Sequence, residues 1–119
     1  MTREFVHTKV FERAWASIGC TDEDLSATQG LICSNPRIGD VITGTGGLRK
    51  MRIPLSGVGK SGGARVLYVD FEAHGVSYLI YAYPKNERTN ISAAEKNAFK
   101  KLIADIENTL GGRQHEQNR

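Results

Sequence analysis

Two runs near the middle of the chain, ARVLYVDFEA from Ala64 and VSYLIYAYP from Val76, constrain the fold more than any other feature. Both are dense in β-branched and aromatic residues, which suit a pleated, packed surface. Only His74 and Gly75 separate them, room for a tight turn, so the two strands pair as antiparallel neighbours. The second is mostly apolar and belongs at the centre of a sheet. Upstream, Met51 and Ile53 alternate with Lys50 and Arg52, which marks another strand with cations on one face and apolar side chains on the other. The opening TREFVHT reads as a short strand or extended arm.

The flanks carry a helical period. Val10, Phe11, Ala14, Trp15 and Ile18 form one apolar stripe over Lys9 to Ile18, with Thr8 as cap and Gly19 as stop. Thr21 and Asp24 form a capping box for a second helix through Leu25, Thr28, Leu31 and Ile32, which Asn35-Pro36 ends. Ser92 and Glu95 form another, opening a helix striped by Ala94, Ala98, Phe99, Leu102, Ile103, Ile106 and Leu110 and stopped by Gly111-Gly112. The expectation is an α+β domain over residues 1–110, with two helices, an antiparallel sheet of three to four strands, and a C-terminal helix. Its helices pack on one face of the sheet. Residues 111–119 are expected to form a disordered polar tail.

With 119 residues, the chain is of one-domain size. Cys20 and Cys33 are too few for a disulfide framework and read as reduced thiols in a cytoplasmic protein. No apolar run approaches the ~18 residues of a membrane helix. The net charge is +3, but its distribution says more. Arg49, Lys50, Arg52, Lys60 and Arg65 fall between Val41 and Val69, a span without Asp or Glu. A local excess of this kind marks a face for anions.

GVGKSGG, Gly57 to Gly63, resembles the end of a phosphate-binding loop, but Pro54 stands where that pattern needs its first glycine, and a strand follows where it needs a helix. GTGGLR fails the dinucleotide pattern because Arg49 occupies the last glycine position. What remains is a mobile glycine loop carrying Lys60 across the sheet.

Three separated segments, NPRIGDVITGTGGLRKMRI, GVGKSGGARVLYV and YLIYAYPKNE, resemble the RelE/ParE superfamily of bacterial toxins, most closely its HigB-like branch. The resemblance runs from about Phe5 to Leu110. It implies a RelE-like fold and the toxin of a type II toxin–antitoxin system. RelE-like and HigB-like members cut translated mRNA in the ribosomal 30S A site, whereas ParE-like members inhibit DNA gyrase. The resemblance further implies a cognate helix-turn-helix antitoxin, through which alone the toxin reaches operator DNA, and no membrane partner.

Carried over residue by residue, the second-strand cations match Lys50 and Arg52. The arginine opening the next strand matches Arg65, and the basic residue after the last strand matches Lys85. Where RelE-like nucleases carry a further arginine and a tyrosine, this chain has Asn86 and Ser92, so the general acid and base stay open. His7, His74 and His115 lie outside the matched segments.

Such a nuclease needs a base for the ribose 2′-hydroxyl, cations for the phosphate and an acid for the 5′-oxygen. Arg52 and Arg65 suit bidentate phosphate binding. Like-charge crowding makes a lysine a candidate base, and Lys60 or Lys85 a candidate acid. Arg49, Lys60 and Tyr83 are the expected RNA contacts, with Tyr81 and Tyr83 sharing strand parity for base stacking. No ligand-like spacing of His, Cys or acids occurs in the basic segment, so neither metal nor cofactor is expected.

Overall fold

The computed structural model describes residues 3–55, 62–87 and 90–117. The elements run β1 (Glu4–His7), α1 (Lys9–Ile18), α2 (Asp22–Ser34), β2 (Asp40–Val41), β3 (Arg49–Ile53), β4 (Ala64–Phe71), a 3-10 turn (Glu72–His74), β5 (Val76–Pro84) and α3 (Ala93–Gln117). The architecture is α+β, as the strand and helix periods require.

Each helix begins where its cap stands. Thr8 accepts from the Phe11 amide, and Thr21 and Asp24 close a reciprocal capping box. Ser92 and Glu95 close another, with bonds of 2.9 and 3.2 Å. A cap of this kind is worth about 1 kcal/mol. Gly19 takes φ 85° and turns the chain out of α1, a conformation that a side chain would strain.

Among the described residues the sheet has five strands in the order β1-β5-β4-β3-β2, more than the three to four expected. It is also mixed: β1 lies parallel to β5, and all other pairs are antiparallel. The opening segment is a strand because the Glu4 and Thr8 amides donate to Gly75 and Leu79 across that edge, at 3.0 and 3.1 Å. A parallel partner distant in the chain leaves no hairpin signal in sequence.

Helices cover both faces, not one. Ala64, Val66 and Tyr68 of β4 pack with Phe11, Trp15 and Ile32 of α1 and α2. Their alternates Leu67, Val69 and Phe71 pack with Ile103 and Leu110 of α3. Near-continuous apolar strands are those buried on both sides. α3 continues to Gln117, past Gly111-Gly112, where the sequence places its end. Neither glycine takes the positive φ of a stop, and glycine within a helix costs only about 1 kcal/mol.

At the β1 edge, Arg3 and Asp70 form a buried ion pair at 2.9 Å, their side chains only 4% and 8% exposed. Ser77 donates to the same carboxylate at 2.6 Å. Among the described residues no helix is long and apolar enough to cross a membrane.

Candidate active site

The site begins with the alternation on β3. Met51 and Ile53 are buried against α1 and α2, so Lys50 and Arg52 rise on the opposite face. The β3–β4 register sets Arg52 directly across from Arg65, and the β4–β5 register sets Arg65 across from Tyr83. Lys85 follows the last residue of β5. A cleft of about 580 Å³ gathers Lys50, Arg52, Arg65 and Lys85 with Ile38, Asp40 and Met51. Four cations far apart in sequence are thereby brought to one wall system.

Cations directly opposed across two strands repel, at a cost of roughly 0.2–1 kcal/mol. Among the described residues, none of these four has an ion-pair partner to offset that repulsion. Arg65 is steadied by neutral oxygens, donating from Nη1 to the Gly62 and Ala64 carbonyls at 3.2 Å each. The remaining guanidinium donors keep their capacity for phosphate.

Gly62 and Gly63 make this arrangement possible. Both have positive φ, 79° and 66°. A side chain on Gly63 would run into the Ile53 carbonyl oxygen, and one on Gly62 would come within 2.6 Å of the Lys85 stem. The Lys85 amide donates to the Gly63 carbonyl at 3.2 Å. The glycine pair therefore sets the strand entry of Arg65 and the position of Lys85 together. Its role is tight backbone approach, the part of the glycine segment that sequence reasoning left as generic looseness. Lys60, the expected mobile cation, lies outside the described residues.

Arg49 is not part of the cleft wall. It precedes Lys50 on β3 and so points the other way, where Nη1 donates to the Gly39 carbonyl at 2.7 Å. Tyr68 works beside it. Its hydroxyl accepts from the Gly39 amide at 3.0 Å and donates to the Pro36 carbonyl at 2.8 Å. Burial pushes the Tyr68 phenol above its ordinary value, only partly opposed by the Gly39 bond and the Arg49 charge. Together these groups clamp residues 36–39 against the sheet and fix where β2 begins.

Tyr83 is 1% exposed, within the core under α3, and as folded presents no ring face to a base. Tyr81, half-buried, lies 6.1 Å from it, centroid to centroid. Trp15 stacks on Phe11 at 5.2 Å in the other core. His7 bonds Gln29, and His74 ends the 3-10 turn, so neither lines the cleft. Asp40, which sequence reasoning passed over, does line it.

The family resemblance of the chain as a whole is specific. Residues 3–115 match the family described as the RelE toxin of the RelE/RelB toxin–antitoxin system. This chain belongs to the RelE toxin family. The match runs from β1 into the last turn of α3 and includes all four cleft cations. Membership makes the chain a toxin of a toxin–antitoxin system and implies an antitoxin partner.

Proposed function

We propose that this RelE family toxin is a metal-independent endoribonuclease that cuts translated mRNA in the 30S A site and so stops translation. The observation that supports this reading is the cleft itself, with Lys50, Arg52, Arg65 and Lys85 convergent and without ion-pair partners among the described residues. A cleft lined by four cations and the carboxylate of Asp40 keeps an excess of positive charge, which suits a multiply charged phosphate. Arg52 and Arg65 bind the scissile phosphate and its developing charge, Lys50 adds charge beside them, and Lys85 faces the leaving 5′-oxygen. Arg49 serves this site by holding residues 36–39, and Lys60 joins as an RNA contact. Tyr83 supports the Arg65 backbone position from the core. Tyr81 is the ring of the pair closer to solvent.

A cognate helix-turn-helix antitoxin neutralises the toxin, and the toxin meets operator DNA only through it. The HigB-like branch is the closer assignment within the superfamily, on the glycine-lysine segment before β4.

Expression without the antitoxin tests the reading. Growth should stop, and primer extension on a translated mRNA should show cuts at ribosome-set positions. Intact mRNA with a supercoiling defect would assign the toxin to gyrase instead, an outcome to which Asn86 and Ser92 at the departed positions give specific weight.

A further inference from the structure

Asp40 is a carboxylate within the cationic cleft. It stands opposite Lys50 in the β2–β3 ladder, so its side chain rises on the face that carries Lys50, Arg52 and Arg65. Among the described residues, the charged groups that line the cleft with it are Lys50 and Arg52 from β3, Arg65 from β4 and Lys85 after β5. Among the described residues it has no ion-pair partner, although all four are cations.

Its backbone is fixed from the residue before it. The Gly39 amide and carbonyl are both bonded, to Tyr68 at 3.0 Å and to Arg49 at 2.7 Å. A side chain on Gly39 would meet Tyr68 at 2.9 Å and the Lys50 carbonyl oxygen at 3.0 Å. A two-residue strand would ordinarily be a loose place for chemistry. Here it begins at a clamped glycine, so Asp40 starts from a set point beside Lys50.

Lysine and arginine are ordinarily protonated at neutral pH and must lose a proton before accepting one. A carboxylate is ordinarily already in its base form. Resting on the nuclease reading above, we propose that Asp40 is the general base of RNA cleavage. Its carboxylate takes the proton of the ribose 2′-hydroxyl. The 2′-oxygen then bonds to the adjacent phosphorus, while Arg52 and Arg65 hold the phosphate oxygens. The bond from phosphorus to the 5′-oxygen breaks, and that oxygen takes a proton from the Lys85 ammonium. The products are a 2′,3′-cyclic phosphate and a 5′-hydroxyl. No electrons are exchanged, and solvent returns Asp40 and Lys85 to their starting forms.

The test is single-turnover cleavage of mRNA on purified translating ribosomes by the wild type, Asp40→Asn and Asp40→Glu, with ribosome affinity and thermal unfolding measured separately. Asp40→Asn should slow cleavage by about 10²–10³-fold, within the range of general-base removal. Its ribosome affinity should be unchanged or tighter, because a negative charge has left a cationic cleft, and its unfolding should be unchanged. Asp40→Glu should recover part of the rate, and the wild-type product should end in a 2′,3′-cyclic phosphate. Cleavage by Asp40→Asn within about threefold of wild type would overturn the assignment. So would a loss of cleavage and binding together, which assigns Asp40 to binding or fold. A wild-type protein that leaves the mRNA intact would remove the nuclease reading itself, whereas a cutting wild type matched by Asp40→Asn would remove the base alone.

Discussion

Two charge arrangements in one sheet have opposite designs. At the β1 edge, Arg3 and Asp70 are both buried and only 2.9 Å apart, and Ser77 bonds the carboxylate. At the β3 end, Arg52 and Arg65 face each other across the ladder, and among the described residues neither has a carboxylate in ion-pair range. The first arrangement neutralises charge where little water reaches it. The second leaves charge unneutralised where an anion can reach it. On the proposed reading, charge that serves the fold is matched within the chain, and charge that serves a ligand is left for the ligand to match. Arg49 lies between the two cases, held by the Gly39 carbonyl and, among the described residues, without an ion-pair partner.

The buried pair should give the largest stability effect. Asp70→Asn leaves the Arg3 guanidinium buried without its counter-charge, which should cost about 3–5 kcal/mol in urea unfolding. Arg3 is imperfectly served even in the wild type. Its Nη1 is close to Asp70 without hydrogen-bond geometry, and its Nε has no acceptor among the described residues. Replacing Arg3 and Asp70 together by apolar residues should therefore recover most of the loss. A small effect of Asp70→Asn would break the comparison at its paired end.

The next effect is catalytic. Arg65→Ala should lose about 10²-fold or more in mRNA cleavage, by analogy with removing one oxyanion donor. Ribosome binding should weaken far less, because Lys50, Arg52 and Lys85 share the cleft. Kinetics that separate binding from cutting check this. Near wild-type cutting would move the phosphate site away from Arg65.

Smaller again is the effect of the clamp. Tyr68→Phe removes both hydroxyl bonds to residues 36–39 and should cost about 1–3 kcal/mol. The pH dependence has a defined sign. Because burial raises the folded-state value, Tyr68 contributes stability that is fully present below its unfolded value of about 10 and is lost as pH rises through the raised folded value. Tyr68→Phe should therefore flatten the alkaline fall in stability, measured by unfolding from neutral pH upward.

Much of this organisation was legible in sequence, for local reasons. Thr8, Thr21 and Ser92 act within three residues of the groups they cap, so their helices were readable. Lys50 and Arg52 were readable because alternation along one strand is local. The same alternation turns Arg49 away, and its grouping with the RNA contacts counted charge without strand parity. The apolar runs of β4 and β5 likewise signal burial on both faces, which the one-faced expectation overlooked. The parallel pairing of β1 and the register that opposes Arg52 to Arg65 depend on residues far apart in the chain. Asp40 lies in a strand of two residues, too short for any period to reveal. Its meaning comes from the clamp on Gly39.

Arg52→Ala tests the central claim most directly, because Arg52 is exposed, lines the cleft and faces another cation. Stability by urea unfolding and cleavage of translated mRNA are measured on the same preparation. Removing one of two opposed like charges should leave stability unchanged or raise it by up to about 1 kcal/mol, while cleavage falls by about 10²-fold. A variant that loses more than about 1 kcal/mol of stability, or that cuts within about threefold of wild type, would contradict the claim that the cleft's unpaired charge is kept for a ligand at the fold's expense.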